Sequence, residues 1–201
     1  MKKTTKNNII TYALVIAAFV IMQSLINAGS ISSLLEGLMV PLCTYIILAI
    51  SLNLVVGVLG ELSLGHAGFM CVGAFTSAFF SKCMQDTITN SIVRFLIALL
   101  IGIVVAAIFG LLIGIPVLRL NGDYLAIVTL AFGEIIKNIV NVLFIGKDSK
   151  GFHFSTKDVM ALNMEPDGKV IVNGPQGITG APKDATFFIG FILVLITLFI
   201  V

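Results

Sequence analysis

The sequence predicts an all-α integral membrane protein, a polytopic bundle of transmembrane helices, and three observations carry that expectation. Of its 201 residues 58% are apolar and 11% charged. Soluble domains carry roughly 45–50% and about 25%, so most of this surface has to be solvated by lipid. Apolar runs recur along the chain at lengths close to the roughly 20 residues that cross a ~30 Å hydrocarbon core as a helix. One of these runs is rich in glycine, a composition tolerated at membrane depth only where protein or a water-filled cavity surrounds it. The net charge of +2 comes from scattered basic residues, which gives no nucleic-acid surface and no polybasic lipid-binding tail.

Taken in order, the first apolar run covers residues 9–28 after Lys2, Lys3 and Lys6. It is long enough to span. A cleavable signal would carry an apolar region of only about 7–15 residues and a small-x-small site, which Ile26-Asn27-Ala28 is not. The second run, residues 38–59, has Pro41 near its start and Asn53, Gly57 and Gly60 at its end, as expected of a helix that loosens. The third, residues 62–80, opens with Gly65-His66-Ala67-Gly68 and is the interrupted, glycine-rich segment. It should face the bundle interior. The fourth, residues 92–118, begins near Arg94, read as a side chain that snorkels to the interface. It carries Gly102, Ala106, Gly110 and Gly114 at every fourth position, a small-residue stripe that lets a second helix approach closely.

The fifth run, residues 124–145, follows a turn, with Asp123 read as its N-cap and Tyr124 at the interface. It contains Glu134 and Lys137. Residues 146–185 hold five lysines, five acids and three prolines, so they form a soluble loop within the single domain of residues 1–201. A last apolar run, residues 186–201, has sixteen residues. The expected count is therefore five full spans and one incomplete one, with the chain truncated inside a helix.

Few residues invite chemistry. Cys43, Cys71 and Cys83 form no CxxC pair and read as small buried hydrophobes. His66 has no second histidine near it in sequence, so no metal site is expected. It either caps and bonds backbone freed by a broken helix, or lines a path, while Gly65 and Gly68 permit close approach. Glu134 in an apolar helix costs at least about 2.5–3.5 kcal/mol unless partnered. Lys137 on the same helical face can supply that partner, and lining the substrate path is the other reading. Gly174-Pro175-Gln176-Gly177 reads as a turn. No HExxH, GxSxG or phosphate-loop pattern occurs, so neither an enzyme nor an ATPase is expected, and no cofactor.

Five stretches then acquire a joint meaning. Ser51-Leu52-Asn53-Leu54-Val55-Val56-Gly57, Leu62-Ser63-Leu64-Gly65-His66-Ala67-Gly68-Phe69, Leu118-Arg119-Leu120-Asn121-Gly122-Asp123-Tyr124-Leu125-Ala126-Ile127-Val128-Thr129-Leu130, Phe132-Gly133-Glu134-Ile135 and Asn173-Gly174-Pro175-Gln176-Gly177-Ile178 together resemble the branched-chain amino-acid ABC transporter permease family, of LivM/LivH type. The resemblance implies a permease subunit in a bacterial cell membrane. Its partners would be a second permease subunit, two cytoplasmic ATP-binding subunits and an extracytoplasmic substrate-binding protein. The substrates would be leucine, isoleucine, valine or related small amino acids and amides. It also implies a cytoplasmic coupling loop beyond residue 201, so the chain by itself would not dock an ATPase. With the amino terminus cytoplasmic, the alternation of spans puts residues 146–185 outside. The alternative class is a secondary transporter or channel that needs no ATPase, whose broken helices would equally explain Gly65, His66 and Gly68.

Overall fold

The computed structural model describes every residue except Met1, Leu62, Leu118, Asn121 and Lys183, with backbone alone for residues 2–9 and for Leu59. Six α-helices follow in order: α1 (Lys2–Asn27), α2 (Ser33–Asn53), α3 (His66–Cys83), α4 (Ser91–Val117), α5 (Asp123–Asn141) and α6 (Phe187–Ile200). Among the described residues three helical stretches are long and apolar enough to cross a membrane, Ile10–Asn27, Ser33–Val58 and Ser91–Val117. That supports a helical membrane protein but not a count of five full spans on length and composition alone. The segments that fall short do so for physical reasons. α3 spends its length on glycine, serine and histidine, and α5 carries Glu134 and Lys137.

The expected loosening of the second helix takes a definite form. α2 runs through Pro41 and widens into a π-helical stretch over Leu54–Leu59, which ends at Gly60 in the left-handed conformation (φ 72°). A π turn displaces the i→i−4 ladder, and such turns often mark functional positions.

The chain divides into two compact units. In the first, residues 1–47 and 185–201, α1 and α6 run antiparallel. The ring of Phe19 stacks on Phe191 at 3.8 Å between centroids, with Phe187 at 5.2 Å. Seven residues along each helix, the Tyr12 hydroxyl donates to the carbonyl of Leu198 at 3.0 Å. Gly190 of α6 sits against α2, where a Cβ would lie 3.1 Å from Cys43 Cβ.

In the second unit, residues 48–184, α3 packs antiparallel on α4 and alongside α5. The soluble segment is not the plain loop the composition suggests, and the fold is not purely α. β1 (Phe144–Asp148), β2 (Gly151–Ser155) and β3 (Lys169–Asn173) form an antiparallel sheet in the order β2-β1-β3, with a bulge between Ile145 and Gly146. The fifth apolar run stops being helical at Asn141, and Phe144-Ile145 enters β1. A short apolar run cannot be assigned to helix or strand by periodicity. Here the pairing partners Phe152, His153 and Phe154 on one side and Val170 and Val172 on the other, remote in sequence, decide it. The β1–β2 turn is fixed by the Asp148 carboxylate, which accepts from the backbone N–H groups of Lys150 (2.8 Å) and Gly151 (3.1 Å), an Asx turn. Ile145, Ile171 and Val172 bury themselves against Cys83, Phe75 and Phe79 of α3, which ties the sheet to the helices.

Candidate functional site

The break between the π-helical stretch and α3 brings two backbones into close contact. Gly65 and Gly68 are buried where the chain turns into α3. A Cβ on Gly65 would stand 2.2 Å from the Thr129 carbonyl oxygen, and one on Gly68 would stand 2.9 Å from the Cα of Gly133. Two backbones therefore meet with no side chain between them, which only glycine allows. Thr129 serves both sides of the contact. Its hydroxyl accepts from the Leu64 N–H at 3.1 Å and donates to the Ala126 carbonyl at 3.0 Å. An amide freed by the break is thus satisfied by a side chain of the neighbouring helix, as membrane burial demands. The rings of Phe69 and Phe132, 4.9 Å apart, close one flank.

His66, half-buried, is the first residue of α3, and its Nε2 lies 2.8 Å from the Ser51 hydroxyl. That hydroxyl has one proton, which it donates to the Leu48 carbonyl at 3.0 Å. With that proton on Leu48, the Nε2-protonated tautomer of His66 can donate to the Ser51 oxygen. The imidazole links the α2 backbone to the start of α3 across the break.

Of the residues singled out from the sequence, the fold brings Gly65, His66 and Gly68 together with Ser51, Thr129, Phe132 and Gly133. Glu134 is not among them. It pairs with Lys137 at 3.3 Å on a face of α5 that this chain leaves exposed, so it is not enclosed in this chain's interior. The small-residue stripe of α4 divides. Against Gly102 a Cβ would meet the Gly73 carbonyl oxygen at 2.9 Å, and Ala106 lies beside Gly73. At Gly110 and Gly114 a Cβ meets nothing within 4 Å. Asp123 does not cap α5. It is the first helical residue after Gly122 and makes no side-chain cap bond. Leu62, Leu118 and Asn121 of the quoted stretches lie outside the described residues.

At the other end of α3 and α4 sits a polar cluster that the sequence does not announce. Arg94 does not snorkel. It is buried and grips Asp184 through Nε (2.8 Å) and its second terminal nitrogen, while its remaining nitrogen donates to the Ile88 carbonyl at 2.7 Å. The hydroxyls of Ser81 (2.9 Å) and Ser91 also donate to the Asp184 carboxylate. Every lone pair that burial would strand is occupied. These bonds, Arg94 first among them, hold the Asp184 carboxyl down to about 2 against the work of desolvating it. A sequence separation of 90 residues hid the pair.

An apolar helical scaffold with an interrupted helix packed backbone to backbone is an arrangement found at the sites of membrane transporters. Comparison with known proteins narrows this. The sequence profile described as "Branched-chain amino acid transport system / permease component" matches residues 34–201, and the chain belongs to that family. It is 37% identical over 147 residues to proteins called "High-affinity branched-chain amino acid transport system permease protein LivM" from Escherichia coli (strain K12) and from Salmonella typhimurium (strain LT2). The alignment covers 73% of this chain and 27% of each relative, so the chain spans little more than a quarter of their length. These relatives are transport permease components rather than enzymes. No solved structure matches the chain.

Proposed function

We propose that the protein is part of the permease of an ABC importer and lines the membrane path for leucine, isoleucine, valine or closely related small amino acids and amides. The observation that carries this reading is the contact of Gly65 on the Thr129 backbone. It seats the break between α2 and α3 against α5 and leaves His66 beside it as a polar group for a solute to meet. ATP hydrolysis belongs to two cytoplasmic partners, substrate delivery to an extracytoplasmic binding protein, and the rest of the path to a second permease subunit.

In this reading α3 and α5 also cross the bilayer. Enclosed by other helices, they need less apolar surface than a lipid-facing helix does, which leaves five spans and the shorter α6. Lys2, Lys3 and Lys6 place the amino terminus in the cytoplasm of a bacterial cell, and residues 146–185, with their sheet, lie outside. The test is accumulation of labelled leucine in cells lacking their own branched-chain uptake and supplied with the companion subunits. Uptake should disappear when ATP is depleted. It should fall in Ser51→Ala and His66→Gln variants that still reach the membrane at normal levels. Uptake that survives ATP depletion and follows an ion gradient would overturn the ABC assignment.

A further inference from the structure

The three-stranded sheet has two faces with different fates. Residues directly opposite one another across antiparallel strands share a face. The register therefore puts Ile145, Lys147, Phe152, Phe154 and Val172 on one side. The other side is covered at Gly146 by Leu162 and Met164, and His153 there meets Asp148 at 2.9 Å. The first face is covered on one half only. Ile145 and Val172 are sealed against Phe75, Phe79 and Cys83 of α3. The half formed by edge strand β2 overhangs the helix, leaving Phe152 47% and Phe154 66% exposed.

Two aromatic rings i and i+2 on a water-facing edge strand are costly to hydrate and offer a template for aggregation. Their position suggests what covers them. Phe152 touches Phe79, 6.2 Å between centroids, so the overhang continues the apolar flank of α3. Phe79 lies in the last two turns of α3, ahead of the polar residues Lys82, Gln85 and Asp86. A bilayer crossed by α3 would have a headgroup boundary near that end. The basic residues fit the same occupant. Lys147 Nζ stands 5.6 Å over the Phe152 ring, and Lys157 borders the shallow hollow beside Phe154. An apolar tip fringed by lysines matches an acyl boundary beneath phosphates.

We infer that the β1–β2 hairpin is an interfacial anchor. Phe152 and Phe154 insert into the headgroup–acyl boundary of the bilayer that holds α3 and α4, with Lys147 and Lys157 reaching lipid phosphates. The inference needs those helices to lie in a membrane but is indifferent to which side the sheet occupies and to what is transported. It can therefore fail while the transport reading stands, and the reverse.

The chain contains no tryptophan, so Phe154→Trp introduces a single tryptophan at an exposed position. The protein is reconstituted in vesicles of phosphatidylcholine and phosphatidylglycerol, with or without phospholipids brominated on their acyl chains. Phe152→Trp is measured in parallel. The expected result is blue-shifted emission, quenched more by bromines near the headgroup than by bromines deep in the chain, and resistant to aqueous iodide. Emission quenched by iodide and indifferent to brominated lipid would overturn the anchor, because the face would then be in water. Emission untouched by either quencher would overturn it too, because protein would then cover the face.

Discussion

Gly65 lies flat against the backbone of Thr129, so closely that a Cβ would sit 2.2 Å from the carbonyl oxygen. The contact fixes where the interrupted helix meets α5. It also makes Thr129 a residue with two duties, holding the Leu64 amide and the Ala126 carbonyl with one hydroxyl.

Gly65→Ala should therefore separate α3 from α5, a cost of about 3 kcal/mol or more because backbone rather than a flexible side chain must move. Thr129→Val keeps the shape and removes the hydroxyl. It should cost about 1–3 kcal/mol by stranding the Leu64 amide, whereas Thr129→Ser should be nearly silent. Thermal melts of the purified protein in detergent would rank the three, and a harmless Gly65→Ala would show that the close approach is not needed.

The divided stripe on α4 gives a matched pair. Gly102→Leu drives a side chain into Gly73 and Ser77 of α3 and should destabilise the second unit by roughly 1–3 kcal/mol. Gly110→Leu points into open space and should leave the melt of this chain unchanged. Equal effects in the two variants would mean that Gly110 has a neighbour of its own.

At the Arg94–Asp184 clamp, Asp184→Asn leaves a guanidinium buried opposite a neutral amide and should cost about 3 kcal/mol. The pH dependence has a definite sign. The Asp184 carboxyl titrates lower in the folded protein, at about 2, than its ordinary 3.8. Its contribution is thus fully present above pH 3.8 and is lost as the pH falls toward 2. Melting temperatures followed through that window should drop more steeply for the parent protein than for Asp184→Asn. Parallel curves would remove the carboxylate from the account.

The proposed orientation is tested by single cysteines at Lys150 and Lys169, both well exposed, after Cys43, Cys71 and Cys83 are replaced. An impermeant maleimide should label both in intact cells. Labelling only after lysis would place the sheet in the cytoplasm.

Composition and run length were sufficient to establish a helical membrane protein, because the requirement that lipid-exposed backbone satisfy itself leaves few alternatives. Quoted stretches such as Ser63-Leu64-Gly65-His66-Ala67-Gly68 were enough to suggest the family, and glycine at 65 and 68 already implied a close approach. The partner in that approach was beyond the sequence. Thr129 and Ser51 are ordinary residues until the fold sets them 64 and 15 positions away against Gly65 and His66. Arg94 likewise resembles any interfacial arginine until Asp184 is found beside it, and Phe144 and Ile145 continue an apolar run until β2 and β3 draw them into a sheet. Local sequence sets hydropathy and backbone freedom, which depend on each residue and its immediate neighbours. Pairing of buried polar groups and strand register depend on which distant segment arrives, and only the tertiary structure decides that.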